Sequence, residues 1–173
     1  GGTAHVMGLL SDGGVHGMLT HMIASFDVIA KAGVPVALHL ITDGRDVAPS
    51  SAHGYLEKIE SALPAGVKIA TVCGRYYALD RDNRWERVST AFHAMVNAQG
   101  AAQPNAKSTI DDAYANDITD EFIEATVIDD YAGARDGDGL FCLNFRADRA
   151  REILAALADP VFDAFTTGTR PDW

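Results

Sequence analysis

The chain has 173 residues, of which 47% are apolar and 22% charged, and its net charge is −10. That length fits a single domain whose core needs neither disulfides nor a structural metal. The negative balance argues against nucleic acid and against an anionic membrane surface, because both call for a basic footprint, and no apolar run approaches the length of a membrane span.

Gly1 and Gly2 lead almost at once into a strand-like run at residues 5–10, as in a piece cut from a longer chain. The start has neither the basic residues nor the long apolar stretch of a signal peptide. Helical periodicity follows at 18–31, ending at Gly33, and a second buried strand at 35–42. A helix is expected over 50–63, with serines available as caps, then a strand at 68–73 and a helix over 84–99 that stops at Gly100. The stretch 101–139 is less regular: short helices are expected at 108–114 and 119–124, and a weak strand at 126–128. Asp136-Gly137-Asp138-Gly139 reads as a tight turn into a last strand at 140–145, and a helix over 148–157 follows. Cys73 and Cys142 lie in strand-like runs without a second cysteine at ligand spacing. That argues against a zinc site and fits reduced thiols in a cytoplasmic protein.

Strands alternating with helices predict an α/β fold, a three-layer α/β/α sandwich around a mostly parallel sheet, with room for one antiparallel strand from the irregular region. Ligands of such sheets bind outside the carboxyl ends of the strands. The four clear strands are each followed by a charged loop: Ser11–His16 in the first, Asp43-Gly44-Arg45-Asp46 in the second, residues 74–82 in the third, Arg146-Ala147-Asp148-Arg149 in the fourth. Parallel strands would bring Arg45, Arg75, Arg81, Arg146 and Arg149 to one edge, together with His16, Asp12, Asp43, Asp46, Asp80 and Asp82. Ten of the fourteen basic residues are Arg, whose planar fork grips carboxylates and phosphates at two points. A small anion with more than one charged group is the expected ligand. The plain alternative is a salt-bridge web that stiffens the loops. Asp46 is placed to grip or deprotonate a hydroxyl, and His16 sits in a glycine-flanked loop that a ligand can approach. His5, His21, His39, His53 and His93 fall inside strands or helices and read as structural.

The segments LLSDGGVHG (9–17), TDGRDVAP (42–49), CGRYYALDRDNRWER (73–87) and NFRADRARE (144–152) closely resemble cofactor-independent phosphoglycerate mutase. The resemblance implies interconversion of 3-phosphoglycerate and 2-phosphoglycerate in glycolysis and gluconeogenesis. It implies a two-domain enzyme. One domain resembles alkaline phosphatase and carries two manganese (or magnesium) ions and a serine that takes the phosphoryl group. The other, inserted into it, is the phosphotransferase or substrate-binding domain, and residues 1–173 resemble that domain alone. Carried over by motif, the substrate contacts would be His16, Arg45, Asp46, Arg75, Arg81, Arg146 and Arg149, with Asp46 as acid or base. Arg75 and Arg81 are expected to clamp the carboxylate, and Arg146, Arg149 and His16 to face the phosphoryl group. No segment resembles the family's metal-ligand or serine motifs, and one substrate-contacting lysine has no counterpart. The isolated chain is therefore expected to bind phosphoglycerate without turning it over and to hold no metal. Its expected partner is the phosphatase-like domain of the same protein. A stand-alone, non-catalytic phosphoglycerate binder is the alternative.

Overall fold

A computed structural model describes residues 1–173. In chain order its elements are β1 (Ala4–Leu10), α1 (Leu19–Lys31), β2 (Val36–Thr42), α2 (Ala52–Ala62), β3 (Val67–Gly74), α3 (Arg75–Ala78), α4 (Trp85–Asn97), β4 (Ala101–Gln103), α5 (Ala106–Ala115), β5 (Thr126–Ile128), β6 (Gly139–Cys142) and α6 (Ala147–Ala158). A 3-10 turn, Asp120–Phe122, precedes β5.

The central strands β1, β2 and β3 are almost wholly apolar, as strands covered on both faces must be. Successive side chains point to opposite faces, and the core divides accordingly. Val6, Leu10, Leu38, Leu40 and Val72 meet Phe26 of α1, Leu56 and Ile59 of α2, and Ile110 of α5. Met7, Leu9, Ile41 and Cys73 meet Val88 and Phe92 of α4, and Ile153 and Leu157 of α6. The result is the three-layer α/β/α arrangement. The sheet order is β4-β5-β3-β2-β1-β6. β6, β1, β2 and β3 are parallel, while β5 runs antiparallel to β3 and carries β4 parallel beside it.

Register decides where the loops begin. Leu10 pairs with Thr42, and Thr42 with Gly74, so β1, β2 and β3 end flush. β6 stops early, its Cys142 level with Met7. Leu143 N–H still donates to the Met7 carbonyl at 2.9 Å, but the next residues leave the expected strand: Asn144 Oδ1 accepts from the Leu9 N–H at 3.1 Å in place of a backbone carbonyl, and Phe145 N–H donates to the His16 carbonyl at 2.9 Å. The chain is thereby delivered to the start of α6 beside the other strand ends.

Three further departures from expectation have local causes. The arginine-tyrosine run after β3 forms one helical turn, α3, closed by Leu79 N–H donating to the Arg75 carbonyl at 2.9 Å. Residues 119–124 form only the 3-10 turn. α2 is capped from a distance and not by its serines: Asp120 Oδ2 accepts from the backbone N–H of Ser51 at 2.8 Å and of Ala52 at 3.0 Å.

The opposite end of the sheet is closed by a buried polar chain. Asp138 Oδ1 accepts from Thr3 N–H at 2.6 Å, and Oδ2 from Arg135 N–H at 2.8 Å. His5 Nε2 lies 3.1 Å from Asp138 Oδ2, His5 Nδ1 lies 2.9 Å from His39 Nε2, and His39 Nδ1 lies 2.9 Å from Thr71 Oγ1. An ionised carboxylate only accepts, which assigns the protons: both histidines carry theirs on Nε2, and Thr71 donates to His39.

Candidate functional site

Asp43, one residue past the end of β2, is 1% exposed and organises the carboxyl edge. Its Oδ2 accepts from Ser11 Oγ at 2.6 Å. Its Oδ1 accepts from the backbone N–H groups of Arg45 and Asp46, at 3.1 and 3.0 Å, and from Arg75 Nη1 at 2.6 Å. Burial pushes the Asp43 carboxyl up, but the bonds from Ser11, Asp46, Arg75 and Arg45 outweigh it and hold it below the ordinary carboxylate range. The loops after β1, β2 and β3 are thus tied to one carboxylate.

The seven residues singled out in the sequence all reach this edge, each through a carboxylate or a carbonyl. Arg75 is 2% exposed, and its Nη1 also donates to Asp46 Oδ2 at 2.8 Å. Burial works against its charge, but Asp46 and Asp43 more than restore it. Arg45 donates to Glu121 Oε1 at 3.2 Å. Arg81 Nη1 and Arg146 Nη2 both lie 2.9 Å from Asp148 Oδ2. His16 is buried between two carboxylates, with Nε2 4.0 Å from Asp46 and Nδ1 3.7 Å from Asp148. Its pKa is lowered, first by burial and then by Arg75, against the pull of Asp46. A neutral ring with an unpartnered, buried Nδ1 follows.

Arg149 differs from the other four arginines. It makes no ion pair, and its Nη1 donates to the Leu79 carbonyl at 2.9 Å. Burial lowers its pKa, and Arg75, Arg81 and Arg45 lower it further. Positive potential therefore dominates around Arg149, and Asp148 offsets only part of it. A hollow of about 240 Å3 opens there, where Arg149, Arg45, Arg75, Arg84 and Arg87 outnumber Asp80, Asp82 and Glu121, with Tyr76 among its walls. Arg87 is stacked on the Tyr76 ring at 3.7 Å.

Several contributors escaped the sequence reading. Glu121 comes from the irregular stretch. The backbone of its 3-10 turn presses so close that a Cβ on Gly74 would sit 2.3 Å from the Glu121 carbonyl oxygen. Gly44 has φ +69°, and a Cβ there would meet Glu121 N at 2.9 Å. Loop 80–84 is held by Asp80 Oδ2, which accepts from Asp82 and Arg84 N–H, each at 2.9 Å, and by Asn83 N–H donating to Glu152 of α6 at 3.0 Å. Asp148 was visible in its motif but not as a hub. Asp12, grouped with the site from sequence, instead accepts from Tyr55 Oη of α2 at 2.6 Å.

A larger hollow, about 690 Å3, opens at the other end of β2 and β3. Glu60, Asp129, Asp130 and Asp138 line it against Arg135 and a Lys68 already paired with Asp130 at 3.0 Å, so acidic groups outnumber basic ones and it suits an anion less well. No three His, Cys, Asp or Glu side chains converge to hold a metal ion. The manganese or magnesium implied by the resemblance thus has no ligand set among these residues. No helix is long and apolar enough to cross a membrane.

Fold and site together define an α/β domain with an arginine-lined hollow at the carboxyl edge of its parallel strands. The family model described as BPG-independent PGAM N-terminus (iPGM_N) matches residues 1–172, and the chain belongs to that family. It is 60% identical over 173 residues to 2,3-bisphosphoglycerate-independent phosphoglycerate mutase of Paracoccus denitrificans. It is 62% identical over 173 residues to the protein of the same description from Dinoroseobacter shibae. Each match covers 100% of this chain and 34% of the relative, so the chain spans about a third of their length. A crystal structure of Leishmania mexicana phosphoglycerate mutase at low cobalt concentration superposes with a TM-score of 0.94 at 30% identity, covering 99% of this chain and 34% of that one.

Proposed function

We propose that this chain is the substrate-binding domain of a 2,3-bisphosphoglycerate-independent phosphoglycerate mutase, and that its arginine edge holds phosphoglycerate while 3- and 2-phosphoglycerate interconvert. The observation that carries this reading is Arg149, which makes no ion pair, in a hollow framed by arginines that follow β2, β3 and β6. Membership of the family supports the substrate. Phosphoryl transfer depends chiefly on positioning and charge stabilisation, and a preset guanidinium cradle supplies both.

Roles follow from placement. Arg149, with Arg146 and Arg81, faces the ligand's anionic groups. Arg75 is buried beneath the loop with its Nη1 on Asp43 and Asp46, so its part is indirect: it fixes Asp46. Asp46, at the rim beside His16, acts as acid or base on the glycerate hydroxyls. His16, neutral in the free site, lies close enough to Asp46 and Asp148 to lend a proton-bearing nitrogen to a phosphoryl oxygen. The serine that carries the phosphoryl group, and the two manganese or magnesium ions, are assigned to the phosphatase-like domain in the remaining length of the protein. A glycolytic role in the cytoplasm completes the reading.

Thermal unfolding tests it. A ligand that binds only the folded chain raises the midpoint. We expect 3-phosphoglycerate to do so and glycerol at equal concentration to leave it unchanged. No shift at saturating 3-phosphoglycerate would overturn the reading. With manganese added, the 173-residue chain should show no mutase turnover, and robust turnover would sink the division of labour.

A further inference from the structure

Two guanidinium groups converge on one carboxylate oxygen at the mouth of the site. Arg81 Nη1 donates to Asp148 Oδ2 at 2.9 Å, and Arg146 Nη2 lies 2.9 Å from the same atom. Side-chain exposures of 45% for Arg81, 48% for Arg146 and 33% for Asp148 leave the trio open to an incoming solute. Asp148 Oδ1 accepts from its neighbour's backbone, Arg149 N–H, at 3.1 Å, and lies 3.7 Å from the unpartnered Nδ1 of His16. Like charges so close would swing apart on their flexible stems without an anion between them. The chain supplies that anion itself, from the first turn of α6.

We propose that Asp148 is a place-holding carboxylate, a positioning residue that keeps Arg81 and Arg146 together in the ligand-free site and yields them to an anionic group of the ligand, a role that rests on the phosphoglycerate reading of the site. A phosphoryl group carries more charge and more acceptor oxygens than a side-chain carboxylate, and guanidinium forks favour it. The displaced carboxylate is not stranded, because Arg149 N–H still donates to its Oδ1 and the side chain is one-third open to water. Holding the forks in register costs some affinity, since the ligand must compete with a resident anion. In return the ligand meets two arginines that are already ordered. A ligand whose only anion is a single carboxylate gains little over Asp148, so the device favours doubly charged ligands.

Competition gives the test its sign. Dissociation constants for 3-phosphoglycerate and for inorganic phosphate are measured by calorimetry on the 173-residue chain and on Asp148→Asn, which keeps the shape and removes the charge. Asp148→Ser serves as a second uncharged variant, and circular dichroism confirms folding. Two exposed pairs of this kind correspond to roughly three- to tenfold tighter binding when the resident charge is removed. Asp12→Asn, which removes the same charge away from the two arginines, should give no such gain. Binding by the uncharged Asp148 variants that is equal or weaker, or an equal gain in Asp12→Asn, would overturn the place-holder while leaving the phosphoglycerate reading intact. If neither wild type nor variants bind 3-phosphoglycerate, that reading falls and the place-holder with it.

Discussion

The two ends of the sheet both bury charge, and they differ in whether the account closes. At the amino end of the parallel strands, Asp138 accepts from Thr3, Arg135 and His5, and the chain through His39 ends on the Thr71 hydroxyl. Each proton has one acceptor. At the carboxyl edge, four arginines are matched by Asp43, Asp46, Glu121 and Asp148, and Arg149 is not. A closed network stiffens a fold, because unmatched buried polar groups are costly and matched ones are not. An open one keeps an electrostatic vacancy that an external anion can fill. The contrast separates a structural web from the proposed binding site within one molecule.

The sharpest way to break the contrast is at the hub of the open end. Asp43→Ala strands the buried Arg75 and removes the anchor of the loops after β1, β2 and β3. Breaking a buried pair from one side costs about 3–5 kcal/mol, and urea unfolding should register a loss of that order. A loss under about 1 kcal/mol, near the worth of an exposed pair, would show that the loops hold themselves. Arg149→Ala attacks the vacancy instead. Charge-assisted hydrogen bonds contribute about 1.5–3 kcal/mol, so 3-phosphoglycerate binding should weaken roughly ten- to a hundredfold. Its unfolding midpoint should hold or rise, since neighbouring arginines disfavour its charge. An unchanged affinity would remove Arg149 from the centre of the site.

The closed end makes a pH prediction. Burial holds His39 well below the ordinary histidine pKa, with His5 adding to the effect, and burial lowers His5 despite the pull of Asp138. The unfolded chain takes up these protons near pH 6.5, while the folded chain resists until lower pH. Stability from this end is therefore complete above about pH 6.5 and falls as the pH drops below it, by up to about 1.4 kcal/mol per pH unit for each proton. Urea titrations at pH 7.5 and 5.5 measure the slope, and His39→Gln should flatten it. An equal slope in the variant would place the acid sensitivity elsewhere.

How much of this was legible in the sequence depends on distance along the chain. The site arginines and His16 follow directly on apolar runs, so strand ends and cluster could be read together. Parallel pairing of β1, β2 and β3 followed from their two-sided burial pattern. Glu121 and Asp120 lie more than seventy and sixty residues from the Arg45 and Ser51 they serve, in a stretch with no periodicity, and only folding brings them near. β4, Ala-Ala-Gln, has no β-branched or aromatic residue to announce it. Leu143 to Phe145 look like strand in sequence, yet past Leu143 the Asn144 side chain stands in for a ladder carbonyl. The motif marks Arg75 as a contact; its burial with Nη1 on Asp43 and Asp46 is a fact of packing that a motif does not carry.

The smallest expected effect draws the boundary between the two kinds of network most finely. Asp12 lies two residues past β1 and Asp43 one past β2, and in sequence both stand in a charged loop at a strand end. In the fold Asp12 turns outward to Tyr55 and to Lys58, the latter at 3.7 Å, and its bond pushes the Tyr55 hydroxyl up to about 12. Its charge is solvated and none of the five site arginines pairs with it, so screening over roughly 8 Å at physiological salt blunts its reach into the hollow. Asp12→Asn should change 3-phosphoglycerate affinity by less than about twofold, an energy under about 0.4 kcal/mol. Calorimetry at low and physiological salt checks this. A larger change that persists at physiological salt would mean that the open network extends past Asp43 to the α2 face, and that the vacancy at Arg149 is set by more of the edge than the carboxylates that touch its arginines.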